Sequence, residues 1–144
     1  MNKIIFAFFA LSLLLVGCSK DDNDTSGTDI VGKWVLLEAM EDGEDAIQEW
    51  YGTGSHITFH ENKTFTHFWT KNNYSWKGAW QFDNGDLIIA EKIYPAGDTY
   101  VYVDGFCAEV KSNGNIMELT STYEVTDGIS THTETIYWKL QRSE

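Results

Sequence analysis

From Asp29 onward the sequence is a succession of short runs that alternate apolar and polar residues, each closed by turn chemistry a few residues later. A period of two interrupted this often implies antiparallel strands, because a parallel crossover needs a dozen or more residues between strands. Eight strands can be marked, over about 31–38, 55–60, 64–71, 74–83, 86–94, 98–110, 115–125 and 130–141. Asn72-Asn73 and Asn84-Gly85 read as two-residue hairpin turns, since these residues tolerate the positive φ that type I′ turns require. Glu61-Asn62-Lys63 suits a three-residue loop, and Ser112-Asn113-Gly114 and Thr126-Asp127-Gly128 carry similar punctuation. An aromatic content of 15% and a single proline agree with sheet.

The turns also predict register. An Asn72-Asn73 turn sets Trp69 opposite Trp76, His67 opposite Gly78 and Phe65 opposite Trp80. An Asn84-Gly85 turn sets Phe82 opposite Leu87, Trp80 opposite Ile89 and Gly78 opposite Glu91, while the loop at 61–63 sets Phe59 opposite Phe65. All three place Ile57, Phe59, Phe65, Trp69, Trp76 and Trp80 on one face, with Phe82, Leu87 and Ile89 continuing it. A one-residue slip would scatter that set over both faces. Glu38 to Gly54 breaks the pattern, and Glu44 to Tyr51 suits a short helix or loop. The expected fold is all-β: an eight-stranded antiparallel up-and-down barrel with a short helical or loop lid after the first strand.

The N-terminus predicts where such a domain resides. Met1-Asn2-Lys3 is a short basic start, and Ile4 to Val16 is an apolar run too short to span a bilayer. It ends in Leu15-Val16-Gly17-Cys18, which resembles the bacterial lipobox. Residues 1–17 therefore read as a lipoprotein signal peptide, 18–29 as a lipidated, flexible acidic tether, and 30–142 as the barrel domain. Lipidation of Cys18 would anchor the chain to a membrane and leave Cys107 without an intramolecular partner. Lys20-Asp21-Asp22 resembles the acidic surface-export signals of Bacteroidetes-type lipoproteins, and a plain soluble spacer is an equal alternative. The expected location is the cell envelope, as an outer-membrane lipoprotein exposed at the surface if that signal operates. Loss of the leader removes Lys3 and no acid, so the formal charge moves from −12 to −13. That excludes binding nucleic acid by phosphate neutralisation.

Candidate site residues lie on the inward face. Phe65, Trp69, Tyr74, Trp76 and Trp80 would line the interior, either as a pocket wall or as core filler. The register sets His67, Gly78 and Glu91 side by side, as a satisfied hydrogen-bonded pair or as a polar hook for a ligand. His132 and Glu134 share a face near one barrel end, and His56 and His60 share the outward face of the second strand. Neither pair completes a metal site. No nucleophile elbow, zinc helix, phosphate loop or paired-cysteine motif occurs, so an enzyme is not expected, and neither is a cofactor.

Ile30-Val31-Gly32-Lys33-Trp34, Ile57-Thr58-Phe59 answered by Thr64-Phe65-Thr66, Gly78-Ala79-Trp80 running to Asn84-Gly85-Asp86-Leu87, and Tyr137-Trp138-Lys139-Leu140 form an ordered set. It resembles the small lipocalin-like lipoproteins of Bacteroidetes-type bacteria over nearly all of 30–142. The resemblance implies that Trp34 plugs the closed end of the barrel, with Arg142 stacked on it, and that the interior binds a small, largely apolar ligand. The chain is expected to be a monomer held at the membrane by its lipid. Two alternatives remain open. One is a surface interaction or accessory module with a filled barrel, suggested by outward Val35 and Leu37 on a first strand apolar on both faces. The other is an enzyme using His67 and Glu91 as an acid–base pair.

Overall fold

The computed structural model describes residues 30–126 and 129–144. The expected signal peptide, Cys18 and the tether lie outside the described residues, as do Asp127 and Gly128 of the last turn.

The described chain is all-β. Strands β1 (Gly32–Glu41), β2 (Glu44–Asp45), β3 (His56–Phe59), β4 (Thr64–Trp69), β5 (Tyr74–Asp83), β6 (Asp86–Ala96), β7 (Thr99–Asn113), β8 (Ile116–Thr126) and β9 (Thr131–Arg142) form one antiparallel sheet. β1 pairs with β3 on one side and with β9 on the other, from Trp34 opposite Arg142 to Glu41 opposite Ile136, so the sheet closes into a barrel-like ring. Nine strands replace the expected eight because Asp42 (φ 50°) and Gly43 (φ 83°) make a tight turn that pairs β2 with the end of β1.

No lid helix forms among the described residues. A five-residue π-helical turn, Ile47–Tyr51, follows β2, with the Ile47 N–H donating to Asp45 Oδ1 at 2.9 Å. It turns Tyr51 into the core and leaves Trp50 exposed.

The Asn84-Gly85 hairpin and the loop at 61–63 pair as read: Phe82 faces Leu87, Trp80 faces Ile89, and Phe59 faces Phe65. The β4–β5 register differs from the expectation by two residues. Trp69 pairs with Tyr74, His67 with Trp76 and Phe65 with Gly78. The connection is the four-residue stretch 70–73, because the Lys71 N–H is committed to the Tyr51 carbonyl (3.0 Å) and cannot join the ladder. A shift of two preserves side-chain parity, so the inward set survives with different partners.

Glu91 does not join that set. The β5–β6 ladder ends at Ala79–Ala90. A Cβ on Gly78 would lie 2.2 Å from the Ala90 carbonyl oxygen, and one on Gly105 would lie 2.2 Å from that of Ile89. These glycines admit a neighbouring backbone, so Gly78 leaves no gap between an imidazole and a carboxylate. β6 kinks there, and Glu91 sits half in solvent, 3.8 Å from Lys92, beside the outward Thr64, Thr66 and Lys77.

Beyond the kink the β6–β7 hairpin doubles back. The Asp83 carboxylate, at the end of β5 and opposite Asp86 at the start of β6, accepts hydrogen bonds from the Thr99 hydroxyl and the Tyr100 N–H, although Thr99 pairs with Ala96 at the far end of β6. Eleven straight residues would hold those ends on the order of 30 Å apart. The fold-back accounts for buried Ile88 and Ala90, which lie outside the central core cluster.

It also opens the sheet. β7 pairs with β8 from Asn113–Ile116 only as far as Glu109–Thr120, while β8 and β9 continue together to Thr126–Thr131. Past that level the two long hairpins diverge and leave a cleft. At the opposite end Trp34, Phe59, Trp80 and Leu140 pack a closed core.

Candidate functional site

The closed end is fixed by two tryptophans. Trp34 is fully buried, and its indole N–H donates to the Ile30 carbonyl at 2.7 Å. The Arg142 guanidinium carbon lies 4.3 Å from the Trp34 ring centroid, and its Nη1 donates to the Val31 carbonyl at 2.8 Å. Gly32 (φ 131°) keeps clear the space this guanidinium occupies, since a Cβ there would stand 3.1 Å from Nη1. Trp80 is likewise buried; its N–H donates to the His60 carbonyl, and Lys63 Nζ lies 3.8 Å from its ring.

At the other end, where β7 and β8 part, lies a cavity of about 610 Å³. Trp69, Tyr74 and Trp76 wall it from β4 and β5, and Phe106 does so from β7. Trp138 and Ile136 of β9 and the inward Tyr51 complete the wall. Tyr102, Asp104 and Tyr123 line it as well, with Ser121 and Cys107 on the two strand edges of the cleft. The rings meet edge to face: Tyr51 lies 5.4 Å from Trp69 and 5.7 Å from Trp138, near-perpendicular to both.

Of the residues singled out by sequence, Trp69, Tyr74 and Trp76 line this cavity. Phe65, against Trp76 at 4.7 Å, and Trp80 are buried filler, and Glu91 is outside. Tyr51 was not legible as a wall residue, because it sits in the segment that breaks the alternation. Tyr102, Asp104 and Tyr123 were not legible either, because their place depends on where two hairpins diverge. Trp138 was legible as inward but not as cavity wall.

His67 is buried among Tyr51, Trp69 and Trp138, with the Trp138 ring centroid at 5.2 Å. The Trp69 indole N–H donates to His67 Nδ1 at 2.9 Å. Indole can only donate, so Nδ1 is the acceptor and the neutral ring carries its proton on Nε2. Burial, and secondarily the charge of His56, lowers its pKa to about 3.

The rim is acidic. The Tyr51 hydroxyl donates to Glu41 at 3.3 Å and the Tyr123 hydroxyl to Glu134 at 2.8 Å. Both phenols are pushed up to about 12, by burial first. Glu41 adds to the shift at Tyr51, and the hydrogen bond to Glu134 adds to that at Tyr123. Glu134 is lowered by its bonds from Tyr123 and His132. The Trp138 indole N–H acts on Tyr51 in the opposite sense without reaching hydrogen-bond geometry, and it is buried without a partner.

Burial also raises the Cys107 thiol, which disfavours the nucleophilic thiolate. Among the described residues, no three His, Cys, Asp or Glu side chains converge as metal ligands.

A second hollow of about 610 Å³ lies outside the ring along Val35, Leu37, Met40 and Ile47. It lies where a bulge between Leu36 and Glu38 leaves Leu37 and Glu38 both outward before Ala39 returns to the core. No family model, no curated protein and no solved structure matches this chain.

Proposed function

We propose that this protein is a lipocalin-like lipoprotein, anchored in the envelope of a Bacteroidetes-type bacterium through Cys18, that holds a small, largely apolar molecule at the open end of its barrel. The observation that carries the reading is the aromatic cavity between the diverging β6–β7 and β8–β9 hairpins, whose volume lies within the range of small-molecule sites. In this reading the protein is a binder and not an enzyme: His67 is kept neutral beneath aromatic rings, and Glu91 is too far around the sheet to partner it. Trp34 and Arg142 close the other end.

The test is native mass spectrometry of protein lacking the lipidated cysteine, purified gently from its own host. A co-purifying small molecule that is lost in Trp76→Ala supports the reading; a ligand retained in that variant counts against it. A second reading, an accessory module that seats a protein partner, draws on the outer hollow beside β1, where Leu37 is 43% and Trp50 52% exposed. Recovery of a protein partner lost in Leu37→Glu would favour it.

A further inference from the structure

We infer that the molecule held in this cavity is an organic cation, an amine or quaternary ammonium on an apolar body. The inference rests on the proposed binding role of the cavity and adds the charge of its occupant. Aromatic faces carry negative potential, and a cation desolvated against several of them is held more tightly than a neutral group of the same shape. Here the wall offers Trp69, Trp76 and Trp138, with Tyr74, Tyr102 and Tyr123 half-exposed toward the mouth.

The carboxylates agree in sign. Asp104 lines the cavity and has no ion-pair or hydrogen-bond partner among the described residues. Glu41 and Glu134 accept hydrogen bonds from the Tyr51 and Tyr123 hydroxyls, which leaves those phenol rings richer in electrons as well as adding two negative charges behind them.

The basic groups nearby are neutral or already partnered. Among the described residues, no Lys or Arg lines the cavity. His67 is uncharged, and His132 lies 3.0 Å from Glu134. The Lys71 ammonium donates to the Gln48 and Glu49 carbonyls of the π-helical turn.

An anion would face the charges of Asp104, Glu41 and Glu134, and a neutral ligand would leave Asp104 without a partner. The buried Trp138 N–H adds one demand, an oxygen acceptor on the ligand.

Benzoylcholine and its neutral carbon isostere, 3,3-dimethylbutyl benzoate, are the probes, measured by tryptophan quenching and calorimetry. The cation is expected to bind about tenfold more tightly or better. Asp104→Asn should weaken the cation and leave the isostere unchanged. Asparagine tolerates the φ of 50° at that position, and an unaltered unfolding midpoint would show the fold intact. Glu134→Gln provides a second, surface variant with the same expected selectivity. Equal or tighter binding of the neutral isostere overturns the inference and leaves the apolar pocket standing. Binding of neither probe overturns both.

Discussion

Desolvation keeps His67 neutral in a place where an exposed imidazole would take up a proton in mild acid. Its folded pKa of about 3 lies below the unfolded 6.5, so between those values the unfolded chain binds a proton that the native chain refuses. Stability from this group is therefore complete above pH 6.5 and falls as pH drops toward 3, by roughly 1.4 kcal/mol per unit. Denaturant melts from pH 7 to pH 4 are expected to show that slope, and His67→Asn should flatten it by about 1 kcal/mol or more per unit, whatever its cost at pH 7. A second residue-scale expectation concerns the closed end. Arg142→Ala removes a cation from the Trp34 face and a charged donor from the Val31 carbonyl, at a cost of about 2 kcal/mol in chemical denaturation. The inward side of these residues was legible because parity is local. Their roles were not: the same alternation describes Trp69, which walls a cavity, and Trp80, which fills a core.

The β6–β7 hairpin is the element whose behaviour follows least from its own sequence. Its strands alternate well enough to be marked, yet the alternation itself does not announce that they bend back at Ala90 and Gly105. The sign was Gly78 and Gly105, two glycines in otherwise bulky strands, which mark positions where a neighbouring backbone passes too close for any side chain. Gly105→Ala is expected to destabilise by about 1–3 kcal/mol, since a methyl would meet the Ile89 carbonyl and Ala90 at once. Asp83→Ala acts differently. It releases the tip at Thr99 and Tyr100, so amide exchange over 92–104 should speed up while the global unfolding midpoint stays within about 1 kcal/mol. Pro95 fits the same element: past Ala90 the strand has no β5 partner, and an edge tolerates a missing donor. The Asp42-Gly43 turn was the opposite case, a strong local hairpin signal hidden in a stretch read only as a break in the pattern.

For the whole molecule, the proposed lipid anchor and the ring are separate commitments. Cys18→Ala is expected to move the protein from the membrane fraction to the soluble fraction and to abolish incorporation of labelled palmitate, without shifting the unfolding midpoint of the 30–142 domain. Consecutive hairpins made the antiparallel order readable, because each turn reports only its own two strands. Strand count and the cleft were not readable, since they depend on which ladders stop early. Closure of the ring has a further consequence, for when the protein can fold. Val31 and Arg142 meet across 111 residues of chain, so β1 stays unpaired on one side until β9 has been synthesised and delivered. Loop-closure entropy makes so distant a pairing slow. Until then the chain exposes two strand edges that only its own far end can cover, and a polypeptide cut before β9 would present them to any neighbour, making truncation a route to aggregation as well as to lost stability.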